Sequence, residues 1–402
     1  MTAGMAASFT MVVSGTIVNV AVPSVIGAFG IGLDQAQLIT TGFNIAMVTS
    51  QLLNAWLVAA FGQRFGFLLA AAVFTLGSII GGLGQTFDMI VVGRILQGVA
   101  AGIIQPLVMV VAFQVFPADR RGYAMAIYSM GIFLAVAAGP VFGGIAIDML
   151  HWRYIFWAPL PVIGFAALMG WIFVPQAPSE KRKSFDWIGY ILLLISVYCL
   201  VTAITEGNRE GWTSSYILGL FLVGITAGAT LIWTQLQNWS TLIDLSLFRY
   251  KQFAMTALIA FVFGVGNFGT GYGVPVFGQL IQGMTPIVAA LMMLPSALLI
   301  VVTLPFTGKL ADSIPAHIGI LIGLFLFAVG TIPMGRADVN TPVLLITLYF
   351  IVSRMGMSFT NPFIMSTALR SLPPEQLSAG GGMINFCRQF GGSMGLTAWV
   401  AF

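Results

Sequence analysis

Apolar residues run in blocks of roughly twenty along the whole chain, the length a helix needs to cross the hydrocarbon core of a bilayer. About thirteen such spans are predicted, centred near Val18, Met47, Phe74, Val99, Leu134, Phe165, Leu194, Val223, Gly264, Leu298, Phe325, Leu348 and Phe390. The polar connections between them are short, apart from 176–186 and 242–251.

Composition turns this pattern into a class. The chain has 402 residues, 58% of them hydrophobic and only 7% charged, against about 25% charged in a typical soluble domain. Its mean hydropathy is +0.99. A soluble fold cannot hide so much apolar surface, so lipid is the solvent and an all-α polytopic membrane protein is predicted. The first span is read as retained, because no basic segment or cleavage site marks it as a signal peptide. Cys199 and Cys387 both fall inside spans and read as packing residues.

The net charge of +4 arises from 16 basic and 12 acidic residues that punctuate loops, which excludes nucleic acid as a partner. With a cytoplasmic N-terminus, the inner loops hold Arg64, Arg120, Arg121, Lys181, Arg182, Lys183, Arg249, Lys251, Lys309 and Arg370. The outer loops hold Arg153, Arg209 and Arg336, so the bias is positive-inside. Arg94, Arg354 and Arg388 fall in or near spans. A charge at that depth costs about 2.5–3.5 kcal/mol on insertion scales and marks a pathway or a protein interior.

Arg94-x-x-Gln97-Gly98 is therefore the leading candidate for coupling. Gly139-Pro140-x-x-Gly143-Gly144 combines close helix approach with a proline kink, suited to a gate or seal. Gly308-Lys309-Leu310-Ala311-Asp312 is placed on an inner loop, where its charges can cap helices and latch one state. Asn19, Asn44, Gln51, Gln105, Asn267, Tyr272, Gln279, Asn361, Asn385 and Gln389 are polar groups in or near spans. Some are expected to hold helices together and others to line a cavity. Arg388 joins the cavity candidates. Gly264-x-Gly266-x-x-Gly269 matches a dinucleotide fingerprint only by letters; no strand precedes it.

No phosphate-binding loop, zinc motif or Cys/His cluster is present, and the histidines are His151 and His317. No enzyme activity, cofactor or metal is expected. An ion gradient suffices as the energy source. One proton is worth about 2.3 kcal/mol per 100 mV, enough for roughly fifty-fold accumulation of a solute.

The halves repeat. Pro106-Leu-Val-Met-Val-Val-Ala112 leads to Pro117-Ala-Asp119, and Pro362-Phe-Ile-Met-Ser-Thr-Ala368 leads to Pro373-Pro-Glu375. Parallel repeats of this kind mark two-bundle transporters with a midplane site.

These segments resemble the major facilitator superfamily and, within it, the fourteen-span drug:proton antiporters of the EmrB/QacA type. Thr16-Ile-Val-Asn19-Val-Ala-Val-Pro23 is similar to that group's first-span motif, Arg94-x-x-Gln97-Gly98 to its fourth, and Gly139-Pro140-x-x-Gly143-Gly144 to its fifth. Trp152-Arg153-Tyr154-Ile155-Phe156 resembles its lead-in to the sixth span, and Asn385-Phe-Cys-Arg388-Gln389-Phe-Gly391-Gly392 a late-span signature. The resemblance implies a major facilitator fold of two pseudo-symmetric bundles, 1–175 and 251–402, joined by two linker spans within 176–250, near 187–206 and 216–238. It implies thirteen of fourteen spans, and hence a chain truncated at its C-terminus.

By the same resemblance the chain exports lipophilic or cationic compounds across the bacterial inner membrane in exchange for protons, by alternating access. In Gram-negative hosts it implies a periplasmic adaptor protein. Two departures stand out. Ser14 occupies the family's first-span aspartate position, and Ala55 and Ala59 replace the glycine and aspartate of the first inner-loop motif, with Gly62 and Arg64 kept. The second-half copy keeps Gly308 and Asp312. Asp148 is the substitute candidate for the proton carrier. A transporter of one metabolite or siderophore is the alternative, and a non-transporting membrane sensor or assembly protein is the alternative of another class.

Overall fold

A computed structural model describes residues 2–174, 185–237, 242–284 and 286–400. In a bilayer the backbone must satisfy its own hydrogen bonds, and the described residues do so as helices. They are α1 (Thr2–Phe29), α2 (Leu33–Ser50), α3 (Leu53–Leu83), α4 (Phe87–Val115), α5 (Arg121–Met149), α6 (Tyr154–Phe173, broken at residues 158–159) and α7 (Trp187–Glu210). The chain continues through α8 (Ser215–Leu236), α9 (Lys251–Leu280), α10 (Pro286–Ser313), α11 (Ala316–Met334), α12 (Val343–Arg370) and α13 (Leu377–Val400).

The second and third spans meet inside α3 rather than before it. Gln51 and Leu52 keep right-handed helical dihedrals, so α2 carries on into the first turns of α3. The reversal is at Gly62, whose φ of 83° and ψ of 165° suit only glycine. Gly66 then lies against Leu57. A straight helix would hold residues nine apart about 13 Å from each other. Gly62 is thus the turn itself.

Packing follows the repeat. In the first half α1 lies on α5 and α6, and α4 on α2 and α3; in the second half α9 lies on α13, and α12 on α10 and α11. Pro106 in α4 and Pro362 in α12 occupy matching places. Close approach relies on small residues: Gly77 and Gly93 bring α3 onto α4, and Gly323 and Gly356 bring α11 onto α12. The bundles meet where α5 crosses α10 and α12 and where α13 crosses α4 and α2.

The linker helices form a hairpin. Buried Asp186 caps α7 by accepting from the Gly189 N–H at 2.7 Å, and accepts from Gln235 Nε2 of α8 at 2.7 Å. The first of the pair, α7, rests on both α2 and α13 and so covers that seam. Its Tyr190 hydroxyl is 3.4 Å from Ser50 Oγ.

Candidate functional site

Arg94 is buried in the first bundle, 1% exposed. Its Nη1 donates to Ser14 O at 2.9 Å, Ser14 Oγ at 3.2 Å and Gln97 Oε1 at 2.8 Å. Nε donates to Ile39 O at 3.4 Å, and the guanidinium lies over the Phe43 ring. Gln97 Nε2 passes the network on to Ser78 Oγ at 2.8 Å. Every named partner is neutral, and Nη2 is buried with no bond. Ser14 touches the charge without neutralising it.

The second bundle repeats the device. Arg354 of α12 donates to Asn267 Oδ1 of α9 at 2.7 Å and to Thr270 Oγ1 at 3.2 Å, over the Phe350 ring. Asn267 is thus committed to this arginine.

Between the bundles lies a third polar group. Asn361 Nδ2 of α12 donates to Ser129 Oγ of α5 at 2.7 Å. Asn385 Nδ2 of α13 reaches Met109 Sδ of α4 at 3.4 Å. Gln105 Nε2 of α4 and Gln389 Nε2 of α13 both approach Met47 Sδ of α2, at 3.7 and 3.8 Å. Arg388 Nη2 donates to Asn385 Oδ1 at 3.1 Å, and the arginine lies within electrostatic reach of Tyr128. Tyr128 donates in turn to Gln105 O at 2.9 Å. Gln105, Asn361, Asn385 and Arg388, scattered through the sequence, are brought together here, with Tyr128, Ser129 and Met47 added by the fold.

Asp312 ties α10 to α5 and α12 at one end of this interface. Asp312 is in the last turn of α10 rather than on a loop, because the helix runs on to Ser313. It accepts from the Gly122 and Tyr123 N–H groups at 2.6 and 2.9 Å, at the start of α5, and pairs with Arg370 at the end of α12. A carboxylate there also meets the positive end of the helix dipole. The first-half counterpart, Ala59, offers no such group. Gln376, just before α13, instead donates to Asp244 Oδ2 at 3.2 Å and to Ser246 Oγ at 2.9 Å in the α8–α9 connection. A cavity of about 40 Å³ remains beside Ala55, Asp244 and Gly382.

The other candidates are placed within bundles. Gly98 backs onto Phe43 O, joining α4 to α2. A Cβ at Gly139 would collide with the Thr16 hydroxyl, so this glycine seats α5 on α1 rather than on the other bundle. Gly143 is buried and Gly144 is half-exposed with free space beside it. Asn44 is half-buried on α2. Gly264 packs α9 on the Arg388 carbonyl of α13. The side chains of Asn19, Pro140, Asp148, Tyr272 and Gln279 lie outside the described residues.

This packing yields a contrast within one motif. Gly139→Leu is expected to lower the melting temperature of the purified protein, since overpacking costs about 1–3 kcal/mol, whereas Gly144→Leu is expected to melt like the parent. Equal melting of the two variants would refute the assignment.

Residues 4–396 match the sequence profile of the Major Facilitator Superfamily. The chain belongs to that superfamily. It is a multi-pass membrane transporter and not an enzyme. Relatives within the superfamily include the lincomycin resistance protein LmrB of Listeria monocytogenes, 28% identical over 97% of this chain and 83% of the relative. The multidrug export protein EmrB of Haemophilus influenzae is 27% identical over 97% of this chain and 77% of its own. The human organic anion transporter MFSD10 superposes with a TM-score of 0.74 at 12% identity, covering 100% of this chain and 93% of that one, which establishes the shared fold.

Proposed function

We propose that the chain is an exporter of lipophilic small molecules in the fourteen-span drug:proton antiporter group, working by alternating access in the bacterial cytoplasmic membrane. One observation carries this reading: a polar cluster of Gln105, Asn361, Asn385 and Arg388 sits between two repeat-related bundles. The names of LmrB and EmrB support drug export as the task. The proposed division is a six-helix bundle over 1–175, linker helices within 176–250 and a second bundle over 251–402. With the N-terminus in the cytoplasm, the Asp312 lock lies on the inner side, so the described state is closed inward.

Proton entry from outside resets the carrier in this scheme. Asp148 is the proposed proton carrier. Arg94 cannot release its own proton, but its field sets how tightly neighbouring groups hold theirs. Where the host has an outer membrane, a periplasmic adaptor protein is the proposed partner. Ser14 and Ala59, standing where the family's carboxylates would, favour a second reading, a proton-coupled transporter of one specific solute.

Energised cells expressing the chain should expel several unrelated lipophilic dyes, and a protonophore should stop them. Efflux that persists with the protonophore removes proton coupling, and efflux of a single compound selects the specific-solute reading.

A further inference from the structure

The cluster between the bundles has donors in excess. Gln105 Nε2 and Gln389 Nε2 share the sulfur of Met47, at 3.7 and 3.8 Å, and Asn385 Nδ2 divides its bond between Met109 Sδ and Gly381 O. A thioether is a weak acceptor, so these amide protons are poorly satisfied. Arg388 is only 7% exposed, yet its Nε has no partner and its Nη2 bonds a neutral amide. Asn361 Oδ1, on α12, is a buried acceptor without a partner.

Charge points the same way. Among the described residues, every aspartate and glutamate lies in a connection or in the terminal turns of a helix. Arg94, Arg354 and Arg388 lie deeper, and their described bonds are to neutral groups. A cation reaching this depth meets like charge with no carboxylate to offset it. An anion meets an unpaired guanidinium N–H and up to three amide donors, and charge-assisted hydrogen bonds of this kind are the strong ones.

We infer that the site between the bundles takes an organic anion: a carboxylate, sulfonate or phosphate on an apolar body. Its charge rests on Arg388 with the amides of Gln105, Asn385 and Gln389, and its body on the pliable side chains of Met47 and Met109. This inference rests on the transport reading above and changes its substrate class, from the lipophilic or cationic compounds that the family resemblance implies to anionic ones.

The test uses the full chain purified into lipid nanodiscs, with carboxyfluorescein as the anionic probe and ethidium as the cationic one, read by fluorescence polarisation. Carboxyfluorescein is expected to bind, and ethidium at equal concentration not to compete with it. Arg388→Gln is expected to weaken carboxyfluorescein at least tenfold, with Arg388→Lys recovering part of the loss. Should Arg388→Gln fold poorly, Gln389→Leu leaves every charge in place and is expected to weaken the same probe about tenfold, the worth of one hydrogen bond to a charged group. Tighter binding of ethidium, no binding of carboxyfluorescein, or carboxyfluorescein binding indifferent to Arg388→Gln and Gln389→Leu would each overturn the inference. Export measured in parallel separates the two readings. Binding through Arg388 without export of any dye retains the anion site and removes the exporter. Export of ethidium but not carboxyfluorescein retains the exporter and removes the anion site.

Discussion

An Arg94→Ala protein is expected to reach the membrane in normal amount and to export at least tenfold less than the parent. Insertion is not impaired, because removing a charge from a span makes insertion easier by about 2.5–3.5 kcal/mol. What is lost is the tie between helices. Arg94 joins α4 to the Ser14 carbonyl of α1 and the Ile39 carbonyl of α2, and it orients Gln97 towards Ser78 of α3. Hydrogen bonds to a charged donor are worth about 1.5–3 kcal/mol, which is a ten- to hundredfold change in any step that needs these helices in register. Arg94→Lys keeps the charge but loses the fork, and is expected to fall between the two. The measurement is dye efflux per unit of protein in the membrane fraction. Parental export by Arg94→Ala would show that export needs neither the buried charge nor these bonds.

Asp312→Asn is expected to shift the protein towards a state open at the Arg370 end. The carboxylate is 8% exposed and serves three donors on two other helices, whereas its ion-pair partner Arg370 is 34% exposed. Truncating one partner of a buried, hydrogen-bonded charge pair costs about 2–5 kcal/mol, and the partial exposure of Arg370 puts the value near the lower end. A cost of about 2–3 kcal/mol changes the ratio of the two states roughly thirty- to 150-fold. Spin labels at Arg120 and Ser313, both exposed beside the lock, report the separation of α5 from α10. An unchanged distance distribution in Asp312→Asn would eliminate the latch.

The spans were legible in the chain because lipid leaves few choices. A span centred on Met47 fits α2 with its continuation to residue 61, and Gly62 gives the reason that no polar loop separates it from the span centred on Phe74. Leu348 misses the middle of α12 because the middle of that helix is polar: Ser353, Arg354, Ser358, Thr360 and Asn361 are buried against protein, and hydropathy cannot see a face. The prolines of the repeat placed α4 and α12 in correspondence. That same register sets Phe350 opposite Arg94, one turn before Arg354, so the paired arginines were not apparent until α9 and α12 were folded together. The bonds between bundles, such as Asn361 to Ser129, join residues 232 apart and carry no local signal. Asp244 was equally hidden, since nothing in the α8–α9 connection announces that it meets Gln376.

Among the described helices, α7 screens from lipid the edge where α2 and α13 meet, whereas the opposite edge, where α5 meets α10, has no linker helix over it.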